Sequence, residues 1–320
     1  MRVNVAVLVV SLITAAWCAH LCTALEVARL GNPIWRRADN LRDPAVLRLD
    51  DGYLLFYTRF SGSDWSQTNN WAVAVVFTRD FVTFENDHDI TPKGYGSPGD
   101  PIRWHGRYLL PYQSYPNRPN RLCYSESTDG RTWPSARPRS FLPEANRLAW
   151  NTLKRAIDPC FVVDGDTLHC FFVGSCKISN GHANLLGHAV TTDKDLREWR
   201  ILTTDAPLIG RGERAPDGVE NITVFKTGQV WTMIYSEGMK NQHLAYAQSP
   251  DLVRWTLKGP IDVPRQTWMH RRYGAPFVWR EPDQWVMILM GRGKDNRTTF
   301  GLLTSPDGIR WTLLPERAGK

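Results

Sequence analysis

The sequence predicts an all-β chain folded as a five-bladed β-propeller, with four-stranded antiparallel blades around a central channel. Three observations predict it: a hairpin unit that opens on an acid, the return of that unit at nearly 60-residue intervals, and a second turn motif that keeps the same beat.

The first unit is "NLRDPAVLRLDDGYLLFYT", residues 40–58. Pro44 has no N–H to give a ladder and biases its predecessor towards extended backbone, so Asp43 is expected at the start of a strand. Asp51-Gly52 reads as the tight turn into the next strand. The unit returns as "DPIRWHGRYLLPYQ" from Asp100, "DPCFVVDGDTLHCFFVG" from Asp158 and "ENITVFKTGQVWTMIYS" from Glu220, in steps of 57, 58 and 62 residues. A more worn fifth copy, "APFVWREPDQWVMILMG", starts at Ala275.

Each unit then carries an aspartate four positions before an aromatic: Asp80 and Phe84, Asp129 and Trp133, Asp195 and Trp199, Asp251 and Trp255, Asp307 and Trp311. These read as structural turns, in which the carboxylate accepts backbone N–H groups and the aromatic packs between neighbouring units. A small sheet cannot bury both its faces alone, so five such units are expected to form one domain over residues 25–320.

Residues 1–24 are of another kind. Arg2 precedes the apolar run "VNVAVLVVSLITAAW", and "CTA" before Leu25 fits a cleavage site, so a signal peptide and an exported, soluble chain without a membrane span are expected. Export permits disulfides among Cys123, Cys160, Cys170 and Cys176. Cys160 and Cys170 flank a hairpin turn, so a bridge between them is one of three connectivities. The formal charge of +7 comes from scattered arginines rather than a run, which argues against a nucleic-acid partner and allows a modest preference for acidic glycans.

In a propeller the innermost strands line the channel, so Asp43, Asp100, Asp158 and Glu220 are expected to face one another at its mouth. Buried like charges are costly unless protonated, paired or hydrogen-bonded, and such clusters are what hydrolytic acid/base chemistry uses. The alternative for each is a strand cap.

The five repeats, the Asp-Pro of the first, "IDP" at 157–159 and the glutamate opening the fourth resemble the five-bladed glycoside hydrolases. Family 43 is the closest pattern, with families 32, 117 and 130 as relatives. The resemblance implies that Asp43 is the general base that activates water, Glu220 the general acid, and Asp158 the residue that orients that acid and holds its pKa up. It implies an inverting site, whose carboxyls stand about 6.5–9.5 Å apart. An arabinofuranosidase or xylosidase acting on a polysaccharide or oligosaccharide is the nearest activity. Glu220 departs from the pattern in being followed by Asn221-Ile222 rather than Gly-Pro.

Around these acids, Asp100 is read as a hydroxyl-binding residue or a strand cap. Arg42, Arg271 and Arg272 are read as rim charges able to bind a carboxylate or sulfate. Trp65 and Trp71 are read as sugar platforms or packing residues. The resemblance makes His270 a candidate neighbour of a channel cation, with a structural calcium ion as the one cofactor to consider and none required. A monomer acting on carbohydrate is expected. The competing readings are a fructosidase, a phosphorylase and a non-catalytic glycan-binding propeller. A six-bladed sialidase is set aside, because the repeat count is five and no arginine triad can be assigned.

Overall fold

The computed structural model describes residues 25–317 apart from 63, 65, 118 and 135–137, so the expected signal peptide lies outside the described residues. Five four-stranded antiparallel sheets surround a channel. Blade one comprises β1 (Asn40–Leu49), β2 (Gly52–Phe60), β3 (Trp71–Thr78) and β4 (Glu85–Asp89). Blade two comprises β5 (Ile102–Trp104), β6 (Arg107–Gln113), β7 (Leu122–Ser127) and β8 (Arg139–Phe141). Blade three comprises β9 (Ile157–Asp164), β10 (Thr167–Ile178), β11 (Gly181–Thr191) and β12 (Arg200–Ile201). Blade four comprises β13 (Val219–Thr227), β14 (Val230–Glu237), β15 (His243–Ser249) and β16 (Thr256–Ile261). Blade five comprises β17 (Arg272–Arg280), β18 (Trp285–Arg292), β19 (Thr298–Ser305) and β20 (Thr312–Leu313). Among the described residues no helix is long and apolar enough to cross a membrane.

Strand order follows chain order in every blade, so no blade borrows a strand from the far end of the chain. The ring is closed instead by the segment before β1. Asn32 donates to the carbonyls of Leu302 and Leu314 and accepts the Leu302 N–H, while Ile34 N–H bonds Phe300 O. Asn32 thus satisfies three backbone groups at the edge of blade five with one buried side chain.

The second motif behaves as its chemistry dictates. Asp129 Oδ1 accepts the N–H groups of Arg131 and Thr132, both at 2.8 Å, and Asp80, Asp251 and Asp307 repeat the pattern. Blade three is the exception: Asp193, not Asp195, accepts the N–H groups of Arg197 and Glu198. Phe84 stacks on Trp35 of the segment before β1, and the aromatics of blades two to four pack against the preceding blade. Trp133 meets Phe56 edge-on at 5.1 Å, Trp199 meets Phe141 at 5.3 Å, and Trp255 meets Phe171 at 5.7 Å.

Two local expectations change. Leu49 pairs with Gly52, so Asp50-Asp51 form the hairpin tip. Gly52 begins β2, where a Cβ would stand 2.7 Å from Thr78 O. Cys170 pairs with Phe161 while Cys160 pairs with Phe171, one step out of register. A one-residue offset points two side chains to opposite faces of a sheet, so no bridge forms, and the four described cysteines are free.

The innermost strands share a feature the sequence pattern only approximates. In blades one, three, four and five one extra residue is bulged into the innermost strand with a left-handed backbone, Asp43, Asp158, Asn221 and Ala275, with φ of 50°, 48°, 49° and 51°, and Ser97, ahead of β5 in blade two, has the same backbone with φ of 49°. The extended backbone expected at Asp43 is therefore not adopted. Four of these five residues precede proline, which disfavours the right-handed helical region, and the bulge re-aims each side chain towards the axis. True register thus differs from the acid-to-acid spacing. Asp100 lies three residues beyond the blade-two position held by Ser97, and Glu220 lies one residue before the blade-four position held by Asn221.

Candidate active site

These five residues of left-handed backbone meet around a small chamber on the axis, of about 20 Å³. Asp43, Ser97, Asp158 and Asn221 also line a cleft of about 190 Å³, so the two spaces share these four residues as walls. Glu220 enters the cleft but not the chamber. The fold therefore brings Asp43, Asp158 and Glu220, from blades one, three and four, to one cavity.

Their environments differ. Asp43 Oδ2 accepts the hydroxyls of Thr58 and Ser97, each at 3.0 Å, and Asn221 Nδ2 reaches Oδ1 at 3.4 Å. Glu220 is clamped by two amides, Asn184 Nδ2 on Oε2 at 2.9 Å and Gln242 Nε2 on Oε1 at 2.8 Å. Asp158 is the acid driven towards its neutral form. Burial first, then the charges of Glu220 and Asp43, raise its pKa to about 8, with the Arg155 charge and the Asn221 N–H opposing. The raised pKa of Asp158 keeps a proton on that carboxyl near neutral pH.

Two glycines set the clamp. Gly218 has φ of +90°, and a Cβ there would stand 1.8 Å from Asn184 O. Its absence lets Asn184 bridge to this segment and aim its amide at Glu220. At Gly274 a Cβ would stand 2.5 Å from the Gln242 side chain, so Gln242 occupies the missing volume. Neither amide, nor Gln113, whose Oε1 accepts the Asp158 N–H at 2.6 Å, was identified from sequence. They lie on strands or turns facing the acids from neighbouring registers, and only the three-dimensional ring connects them.

The other expected residues are distributed as follows. Arg42 lines the cleft with its guanidinium over the Trp71 ring at 5.3 Å. Trp71 also lines it but is only 2% exposed, packed edge-on to Tyr115, so it is a wall rather than an open stacking platform. Trp65 lies outside the described residues. Asp100 does not line the cleft: it is buried beside the chamber, accepting Thr223 Oγ1 at 2.9 Å and the Val224 N–H, and burial raises its pKa to about 7. Its bonds tie blade two to blade four across the axis.

His270 and Arg271 are exposed and line neither cleft nor chamber. The histidine at the cleft is His182, at the β10–β11 tip, whose Nε2 meets an Arg155 guanidinium nitrogen at 2.9 Å. Among the described residues no three His, Cys, Asp or Glu side chains are grouped to hold a metal ion. With His270 lining neither space, and Asp43 and Asp100 already bonded to hydroxyls, the residues present do not fit the calcium ion the resemblance implied.

No family model and no curated protein matches the chain. Solved structures do match, over most of their length. The chain is similar to a thermostable family-43 glycoside hydrolase at 16% identity and a TM-score of 0.66, covering 91% of this chain and 97% of that one. A GH43_1 enzyme from Xanthomonas citri complexed with xylose matches at 13% identity and 0.62, covering 90% and 95%. An α-L-arabinofuranosidase from Podospora anserina in complex with cellotriose matches at 11% identity and 0.61, covering 84% and 91%. At these identities the likeness is one of fold: the chain has the five-bladed propeller of the family 43 and family 62 glycoside hydrolase structures.

Proposed function

We propose that the chain is a glycoside hydrolase that cleaves a glycosidic bond by single displacement with inversion, in the manner of an arabinofuranosidase or xylosidase. The observation that carries this reading is the convergence of Asp43, Asp158 and Glu220 on one cleft, with a proton retained among them at neutral pH. The fold shared with sugar-cleaving propellers supports it.

In this mechanism Asp43, held by two hydroxyls, is the base that takes a proton from water. Glu220 delivers a proton to the leaving oxygen. Asp158 stores that proton in the unliganded cleft, and when the sugar seats and Glu220 donates, the coupled pair supplies it. Asn184 and Gln242 fix the direction in which Glu220 points. We also propose that residues 1–24 direct export, on the strength of Arg2 and the apolar run after it. N-terminal sequencing of secreted material would then begin at Leu25.

The test is product release from a panel of plant, algal and microbial glycans by wild type and by folded Glu220→Gln. General acid/base groups contribute about 10²–10⁴-fold, so the variant should lose at least that much on any substrate the wild type cleaves. Proton NMR of the first product formed reads the anomer, and inversion is expected. Binding without cleavage across the panel would refute the reading and leave a glycan-binding propeller.

A further inference from the structure

Beside the acid cleft, and sharing Met239 with it, a second pocket of about 760 Å³ opens against blade five. Every Lys, Arg, Asp or Glu that lines it is basic: Lys240 after β14, Arg271 just before β17, Arg272 at its start, Arg292 at the end of β18, and Lys294 beyond it. His270 completes the edge.

These cations are arranged against their own interest. Arg272 and Arg292 are direct cross-strand partners, a placement that destabilises a sheet when both carry the same charge. Among the described residues none of the five forms an ion pair. Glu237, two residues before Met239, is already bonded to Arg214 and His243. Arg272 Nε is buried without a hydrogen-bond partner, and its Nη1 reaches only the Met239 carbonyl, at 3.4 Å. Burial, then the charges of Arg42 and Arg292, disfavour the charged form of Arg272, with Glu220 and Asp43 opposing, and its bond to the Met239 carbonyl ties it to the residue that the acid cleft and the basic pocket share.

A self-repelling cluster with open donors is relieved by a bound anion, and its guanidinium forks match a carboxylate or a sulfate. Resting on the hydrolase reading, we infer that the basic pocket is a subsite for an anionic sugar, one bearing a carboxylate or a sulfate ester, next to the sugar held by the three acids. The substrate class is then an acidic glycan, cleaved beside its charged unit.

The experiment uses the full chain carrying Glu220→Gln, so that binding is read without cleavage. Titration calorimetry compares uronate oligosaccharides with their methyl esters, and sulfated oligosaccharides with their desulfated forms. The charged member of at least one pair should bind more tightly by roughly 10-fold or more, and the arm that shows it identifies carboxylate or sulfate. Adding Arg292→Gln, or the change Arg271→Gln at an exposed position, should shrink that ratio several-fold, and salt should shrink it further. A panel in which no charged sugar outcompetes its neutral mate overturns the inference. So does release of a sugar 1-phosphate that requires inorganic phosphate and these arginines, which would give the pocket to a co-substrate. Hydrolysis of neutral glycans by the wild type without any charge preference would leave the hydrolase reading standing while this one fails.

Discussion

Each repeat uses aspartate in two places, and the two behave oppositely. At the outer turns, Asp129 is exposed and Asp251 and Asp307 are half-buried, and backbone N–H groups with a neighbouring hydroxyl or arginine hold their carboxyls well below the usual range. Around the axis, Asp158 and Asp100 are buried, and loss of water pushes both up towards neutrality. The difference teaches that residue type carries little chemistry by itself here. A carboxylate surrounded by donors fastens a turn, and one pressed against other carboxylates in a closed space becomes a proton store.

The largest way to break this comparison is to neutralise one acid of each kind. Asp43→Asn should lower turnover of whatever glycan the wild type cleaves by about 10²–10⁴-fold, whereas Asp251→Asn should leave it within about 2-fold, as initial rates would show. A smaller contrast concerns the clamp on Glu220. Gly218→Ala places a Cβ 1.8 Å from Asn184 O at a φ of +90°, and should destabilise by roughly 3 kcal/mol or more in chemical denaturation. Gly228→Ala has a φ of +61° but nothing within 4 Å, and should cost only about 1 kcal/mol.

The pH dependence sharpens the comparison further. Because the Asp158 pKa is raised on folding, its folded form holds a proton that the unfolded chain has released, so stability falls as pH rises from about 4 through about 8. Asp158→Asn should flatten the loss of Tm between pH 5 and 9. The outer acids have the reverse sign: their lowered pKa values give stability above pH 4 that is lost on acidification. Asp307→Asn should therefore lower Tm near neutrality by only about 2 °C, and by less still at pH 3.

How much of this was legible in the sequence follows from what repeats. Blade count, the role of the Asp-to-aromatic turns, and the meeting of Asp43, Asp158 and Glu220 could be read from periodicity, because a closed ring converts equal spacing into convergence. Bulge register could not, since Ser97 and Ala275 occupy the same backbone position as Asp43 without sharing its chemistry. That blindness made Asp100 look like a member of the cleft. The clamp of Asn184 and Gln242 was equally hidden, because its sequence trace is two glycines defined by volumes they leave to other blades. The family resemblance points to His270, two residues before β17. That residue lines the neighbouring basic pocket instead, and His182 reaches the cleft from a hairpin tip with no repeat signature.

The most direct test of the central claim is a carboxyl titration by carbon-13 NMR on chain labelled at its Asp and Glu side chains, with Asp158 assigned by its loss in Asp158→Asn. The account predicts that Asp158 titrates near pH 8, that its midpoint falls when Glu220→Gln removes a neighbouring charge, and that Asp129, Asp251 and Asp307 titrate below the ordinary range. An Asp158 midpoint at or below that of a free aspartate, unmoved by Glu220→Gln, would contradict it.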